Sequence, residues 1–287
     1  MDGDPGYAQE FVDVDGGRLG VQVYPEPVGT TDAPVVVLWP AMGVRARYYR
    51  PFAAELRAAG LAVVVADLRG NGASTPTPSR ADRYGYAELA DDVGAVLAAL
   101  KPRLDGRNRL LVGHSLGGQA ALLHLALHGA DEVDALALIA VGIPYWRSYP
   151  GLRGLGLLPY TQGIAATAAL LGVWPGWGFG GRQARGVMRD WAYTARSGCF
   201  PRLNGTDTEA AVRAVRTPVL AISVDDDQYT PHETMDNLCV KLVAAPLTRE
   251  RYTAAQAGAA LDHFTWVRAS TPLARRIAGF AGDLPPR

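Results

Sequence analysis

Five short, continuous apolar runs punctuate the chain: PVVVLWP (34–40), LAVVVADLRG (61–70), LLVG (110–113), ALALIAVG (135–142) and PVLAISV (218–224). They are rich in Val, Leu and Ile and lack apolar–polar alternation, which fits strands buried on both faces. Helix-like segments lie between them, at Tyr48 to Ala59, Tyr86 to Leu100, Gln119 to His128 and Glu233 to Val243. Strand followed by helix, repeated, predicts an α/β fold: a parallel sheet with helices on both sides. Ahead of this series, EFVDVDGGRLGVQVYPEP alternates around Gly16-Gly17 and predicts an antiparallel hairpin. A last strand-like run lies near Leu247 to Tyr252.

The alternation breaks once. From Ile143 to about Ala211 no strand-like run occurs, and the stretch carries Trp146, Trp174, Trp177 and Trp191, with helix-like pieces near Ile164–Leu171 and Gln183–Tyr193. We read it as an inserted helical cap. The chain then divides into a core (1–142), the cap (143–211) and the rest of the core (212–287). Ligands of open parallel sheets bind outside the carboxyl ends of strands, so an insertion leaving from such an end would roof that site.

Composition narrows the options. A chain of 287 residues, 48% hydrophobic, can bury one large core. Lys plus Arg equals Asp plus Glu at 28 each, with no run of like charges and no basic stripe, so nothing suggests nucleic acid or an anionic membrane as partner. Cys199 and Cys239 are too few for a disulfide framework. The start, MDGDPGYAQEFVDVDGG, lacks the basic and apolar regions of a signal peptide. The longest gentle stretch, Gly163 to Trp174, is too short to span a bilayer. The expectation is a soluble, cytoplasmic protein with a small-molecule partner.

The chemistry centres on RLLVGHSLGGQAALLHLAL (109–127), where Gly113, Gly117 and Gly118 surround one serine between a strand and a helix. Gly113-His114-Ser115-Leu116-Gly117 fits the nucleophile-elbow pattern G-x-S-x-G in its required strand–turn–helix context. Such a turn lifts the hydroxyl above the sheet and aims the following amides at any anion formed there. A serine needs a base, and the base an orienting acid. Of five histidines, His114 sits inside the elbow, and His124 and His128 recur on the following helix. That four-residue spacing hints at a metal, but Leu125 stands where a zincin has its Glu, so helix-surface histidines are the better reading. His232 follows Pro231 at a helix start, which suits capping or solvation. His263, in ALDHFTW, is the candidate base. AISVDDDQYTP offers Asp225, Asp226 and Asp227 as the acid; spacing from Pro231 favours Asp227, with Asp226 in reserve. The order Ser, Asp, His is that of α/β-hydrolases.

WPAMG, DLRGNGAS, GHSLGG, an acid loop of G-x-x-D-x-x-x-P type and DHFTWVR together resemble the α/β-hydrolase superfamily over nearly the full chain. With PYWRSYPG and GFGGRQARGVMRDWA they resemble, more narrowly, bacterial α/β-hydrolases of undefined substrate related to serine esterases and lysophospholipase-like enzymes. The resemblance implies an α/β-hydrolase fold, a Ser115–His263–Asp227 triad and no cofactor or metal. Two positions depart from the pattern. Many relatives have His-Gly where this chain has Pro40-Ala41; Pro40 has no amide hydrogen, so the oxyanion donors are Leu116 and Met42, or less favourably Ala41. Asp262 replaces the usual Gly before the catalytic His, either shifting the imidazole or facing water.

GWGFGG (176–181) fits G-x-G-x-x-G literally, but no strand precedes it, so a dinucleotide site fails its context. Asp67 and Arg69 read as loop braces. Arg182, Arg185 and Arg189 read as a solvated or paired face, with a substrate anion as the other option. The four tryptophans are core for the cap, and as candidates they line an apolar acyl-binding cleft. The leading expectation is a serine hydrolase of an ester or thioester. An acyltransferase, cyclase or lactonase using the same triad, or a non-catalytic ligand-binding protein, are the alternatives.

Overall fold

The computed structural model describes residues 6–29 and 32–287. Its centre is an eight-stranded sheet whose strands, in chain order, are β1 (Ala8–Val14), β2 (Gly17–Val23), β3 (Val35–Trp39), β4 (Ala62–Ala66), β5 (Arg109–His114), β6 (Ala135–Ile139), β9 (Val219–Val224) and β10 (Leu247–Tyr252). A separate two-residue pair, β7 (Val173–Trp174) and β8 (Gln183–Ala184), belongs to the insert. The spatial order is β1-β2-β4-β3-β5-β6-β9-β10. The first hairpin pairs antiparallel around Gly16-Gly17, β2 meets β4 antiparallel, and every pairing from β4 to β10 is parallel. The apolar runs become the buried strands because each must bury two faces. Val35, Val37 and Trp39 point into one core, and Val36 and Leu38 into the other.

The helices are α1 (Arg50–Ala58), α2 (Tyr86–Leu104), α3 (Leu116–His128), α4 (Arg153–Leu171), α5 (Arg185–Ser197), α6 (Thr208–Ala214), α7 (His232–Cys239), α8 (Ala254–Ala257) and α9 (Thr271–Gly282). One face of the sheet is covered by α2, α3 and α6, with Val96, Leu97, Leu122 and Val212 in its core. The other is covered by α1 and α9, with Phe52, Leu56, Leu273 and Ile277 around Trp266. Asp67 accepts hydrogen bonds from the amides of Ala46 (2.6 Å) and Ala73 (2.9 Å), and Arg69 pairs with Asp92. Both brace the loop after β4.

Several boundaries move for physical reasons. β6 stops at Ile139 because Ala140 takes a left-handed conformation, φ 51°, and turns the chain. The short helix expected near Ile164 is the 19-residue α4, which runs through Gly154, Gly156, Pro159 and Gly163. Packing against α5 overrides their poor propensity. It is long and apolar enough to meet the composition test for a bilayer span, so the chain holds a longer apolar segment than Gly163 to Trp174 suggests. The other expected insert helix begins at Arg185, because Gln183 and Ala184 pair with Val173 and Trp174. Within the span read as cap, α6 packs on α3 of the core. α9 carried no recognised signal in the sequence.

Candidate active site

Ser115 sits between β5 and α3 with φ 52° and ψ −121°, a strained position for a residue with a side chain. The three glycines have separate reasons. A Cβ on Gly113 would lie 2.2 Å from the Gly118 Cα, and one on Gly118 would lie 2.3 Å from Val141 Cγ2. On Gly117 it would lie 2.3 Å from the Trp39 carbonyl oxygen and 2.4 Å from that of Pro40. The strand end, the helix start and the loop after β3 are pressed together, and only hydrogen fits. Gly117→Ala is therefore expected to destabilise the fold by about 3 kcal/mol or more, since backbone atoms cannot yield as a side chain does. A thermal melt measures it, and an unchanged melting midpoint would contradict this packing.

His263 is buried, and its Nδ1 lies 2.7 Å from Asp227 Oδ2. Asp227 Oδ1 accepts the amides of Tyr229 and Thr230 at 2.8 Å each, and the Thr230 hydroxyl donates to Oδ2 at 2.6 Å. Thr230 was not singled out in the sequence; its place four residues before Thr234 and next to Pro231 gives no chemical signal. Of the other acids, Asp225 is bound by Arg251 and the Ala254 amide, and Asp226 is exposed at φ 55°. Only Asp227 reaches the imidazole.

Burial pushes the Asp227 carboxyl up, but the hydrogen bonds and charge of His263 and the Thr230 contacts outweigh it and hold it below its ordinary 3.8. A carboxyl depressed in the folded state stabilises above its unfolded value and loses that contribution as pH falls through the folded one. Asp227→Asn should accordingly flatten the acid side of the stability curve below about pH 4. Urea titrations of both proteins between neutral and acid pH check this, and parallel curves would refute it.

Asp262, the departure before His263, accepts the amides of Phe264 and Thr265 at 2.7 Å each. It caps the turn that carries His263. His114 points away from the cavity, with Nδ1 2.7 Å from the Tyr49 hydroxyl, and burial drives its pKa well below 6.5. His124, expected on a helix surface, is buried against α2, its Nδ1 3.1 Å from the Ala90 carbonyl, and His128 pairs with Asp91 at 2.7 Å. α3 packs on α2, so its inner face must bury even a polar ring. His232 opens α7 at a half-buried position. Among the described residues no His, Cys, Asp and Glu group could hold a metal.

Ser115 and His263 line one cavity of about 600 Å³, at the carboxyl ends of the parallel strands. No hydrogen bond joins the hydroxyl to the ring; contacts of this kind commonly close only around a substrate. Met42 and Leu116 line the cavity beside the serine. The Ala41 amide donates to the Tyr49 hydroxyl at 2.9 Å. The insert supplies much of the far wall and is tied to the acid loop by Tyr149, whose hydroxyl donates to the Tyr229 carbonyl at 2.6 Å.

The tryptophan expectation needs correction. Trp191 lines the cavity, stacked on Phe179 with ring centroids 4.8 Å apart. Trp146, Trp174 and Trp177 do not line it. Trp174 is buried, donating to the Phe179 carbonyl, Trp146 lies under the Arg147 guanidinium, and Trp177 faces outward, 65% exposed. The aromatic wall is instead Tyr149, Tyr160, Phe179, Tyr229 and Phe264. Residue type told of aromatic packing, whereas the backbone path of the insert decides which rings face inward. Arg182, Arg185 and Arg189 also lie outside the cavity.

A mostly parallel sheet with a serine elbow, an Asp–His pair and a roofing insert defines an α/β-hydrolase. A family model described as Serine aminopeptidase, S33 matches residues 31–196, and the chain belongs to that family. It is similar to the AB hydrolase superfamily protein YisY of Bacillus subtilis (strain 168), 36% identical over 101 residues that make up 34% of each chain. The match thus spans about a third of that relative's length. A non-heme haloperoxidase of Rhodococcus erythropolis is 27% identical over 64% of this chain and 71% of its own. Among solved structures, the esterase RhEst1 from Rhodococcus sp. ECU1013 superposes with a TM-score of 0.61 at 20% identity, covering 98% of this chain and 100% of that one. That likeness is one of fold.

Proposed function

We propose that this hydrolase cleaves an ester or thioester with an apolar acyl part, through an acyl-enzyme on Ser115. The observation that most supports this is the buried 2.7 Å contact between His263 and Asp227, opening onto the same cavity as the strained serine. In this reading His263 Nε2 takes the Ser115 proton as the oxygen attacks the acyl carbon. Asp227 holds the other ring nitrogen protonated and stabilises the imidazolium. The amides of Leu116 and Met42 bind the tetrahedral oxyanion, each worth roughly 3–4 kcal/mol in the transition state. His263 then returns the proton to the leaving alcohol or thiol, and water releases the acyl group by the same steps. Phe179 and Trp191 supply the apolar surface for the acyl part.

A fluorophosphonate probe tests the chemistry. The native protein is expected to label, and Ser115→Ala to remain unlabelled. Labelling that persists in the variant would assign another nucleophile. A panel of p-nitrophenyl esters and acyl thioesters then separates the two substrate types.

A further inference from the structure

The zero net charge of the chain hides a segregation. Residues 143–211, the insert, hold seven arginines, two aspartates, one glutamate and no lysine, a formal charge of +4. The same segment holds α4, which has no charged residue after Arg153. Helical spacing divides α4 into four faces. Gly154, Thr161, Ile164 and Ala168 are buried. Arg153, Gly156, Leu157 and Tyr160 line the active-site cavity. Opposite the buried face, Leu152, Leu155, Pro159, Ala166 and Leu170 form an outward apolar stripe, with Leu152 81% and Leu170 87% exposed. The fourth face meets α5 in a groove of about 540 Å³, where Arg83, Arg185, Arg189 and Arg196 surround Ala165 and Ala169 and no carboxylate lines the wall. Arg189 has Asp190 as its partner; for the other three no ion pair occurs among the described residues.

We propose that this face of the insert docks on an anionic phospholipid surface, with the α4 leucines entering the headgroup layer and the groove arginines pairing with lipid phosphates. An apolar stripe beside a basic row is the pattern of a helix lying in a membrane interface. Exposed Trp177, on the loop between β7 and β8, suits the same layer. The charge argues against the stripe as a contact between two copies, because two inserts of +4 each would face each other. Since the stripe lies between the groove and the cavity wall, docking would bring lipid-borne esters to the mouth of the site. That consequence rests on the proposed function; the docking itself does not.

The test is therefore made on protein carrying Ser115→Ala, by co-flotation with phosphatidylcholine vesicles, alone or with about one-third phosphatidylglycerol. Binding is expected only to the anionic vesicles and should fall as salt is raised. Arg185→Gln with Arg196→Gln should weaken it roughly thirtyfold, since each basic residue near such a surface contributes about fivefold. Leu155→Glu with Leu170→Glu should abolish it. Both leucines are exposed, so circular dichroism and the melting midpoint should not change. Equal flotation of the native and both doubly substituted proteins, or none with anionic vesicles, overturns the proposal. So does light scattering that finds a dimer dissociated by the leucine substitutions, which would make the stripe a self-interface.

Discussion

Ser115→Ala is expected to lower turnover by about 10⁴–10⁶ on whichever ester or thioester the native protein hydrolyses best. That is roughly 5–8 kcal/mol of transition-state stabilisation. In the proposed mechanism the loss is large because the hydroxyl forms the acyl bond, and His263 without it would have nothing to deprotonate but water. Some rate should survive, since in the proposed mechanism the amides of Leu116 and Met42 would still meet a developing oxyanion. The strain at Ser115, φ 52°, makes a second effect expected: alanine, with the same Cβ, keeps the strain, so stability should barely change. Steady-state kinetics with a melt on the same sample separates the two effects. Near-native turnover in a folded variant would remove the nucleophile from the mechanism.

Asp227→Asn should reduce kcat by about 10⁴ with the fold intact. The asparagine oxygen can still accept the amides of Tyr229 and Thr230, so the loop keeps its shape. Its NH2 would then face His263 Nδ1 and donate to it, driving the ring proton to Nε2. In that tautomer the nitrogen facing the serine has no lone pair to accept a proton. Asp226→Asn is the control, because that side chain is exposed and bears on neither ring nor cavity. Full activity in Asp227→Asn with loss in Asp226→Asn would move the acid by one residue. A uniform loss in both would instead indicate a loop that misfolds.

The elbow was legible because its requirements are local. Strand, serine, helix and the glycines that let them meet lie within ten residues, and steric exclusion at 2.2–2.3 Å leaves little choice of residue. His263 was legible by elimination among five histidines, together with chain order. The cavity wall was not. Trp146, Trp174 and Trp177 have the same composition signal as Trp191, and nothing near them in the chain says which ring turns inward. Thr230 was missed for a related reason: its hydroxyl matters only because Asp227 and the Ala140 carbonyl converge on it. α4 was underestimated because glycine and proline lower helix propensity, while the partner that compensates, α5, lies elsewhere in the sequence.

The amino-acid sequence by itself determined a parallel sheet, a serine on a tight turn and a candidate histidine to partner it, since periodicity and turn chemistry act between near neighbours. The tertiary structure decided which of three adjacent carboxyls faces the imidazole, across 36 residues of chain, and which aromatic rings line the cavity. It also decided that the arginines of the insert gather beside an exposed apolar helix while the whole chain stays neutral. Those outcomes depend on where strand ends and helix faces converge, and convergence is set by packing of the entire sheet, not by any segment of it.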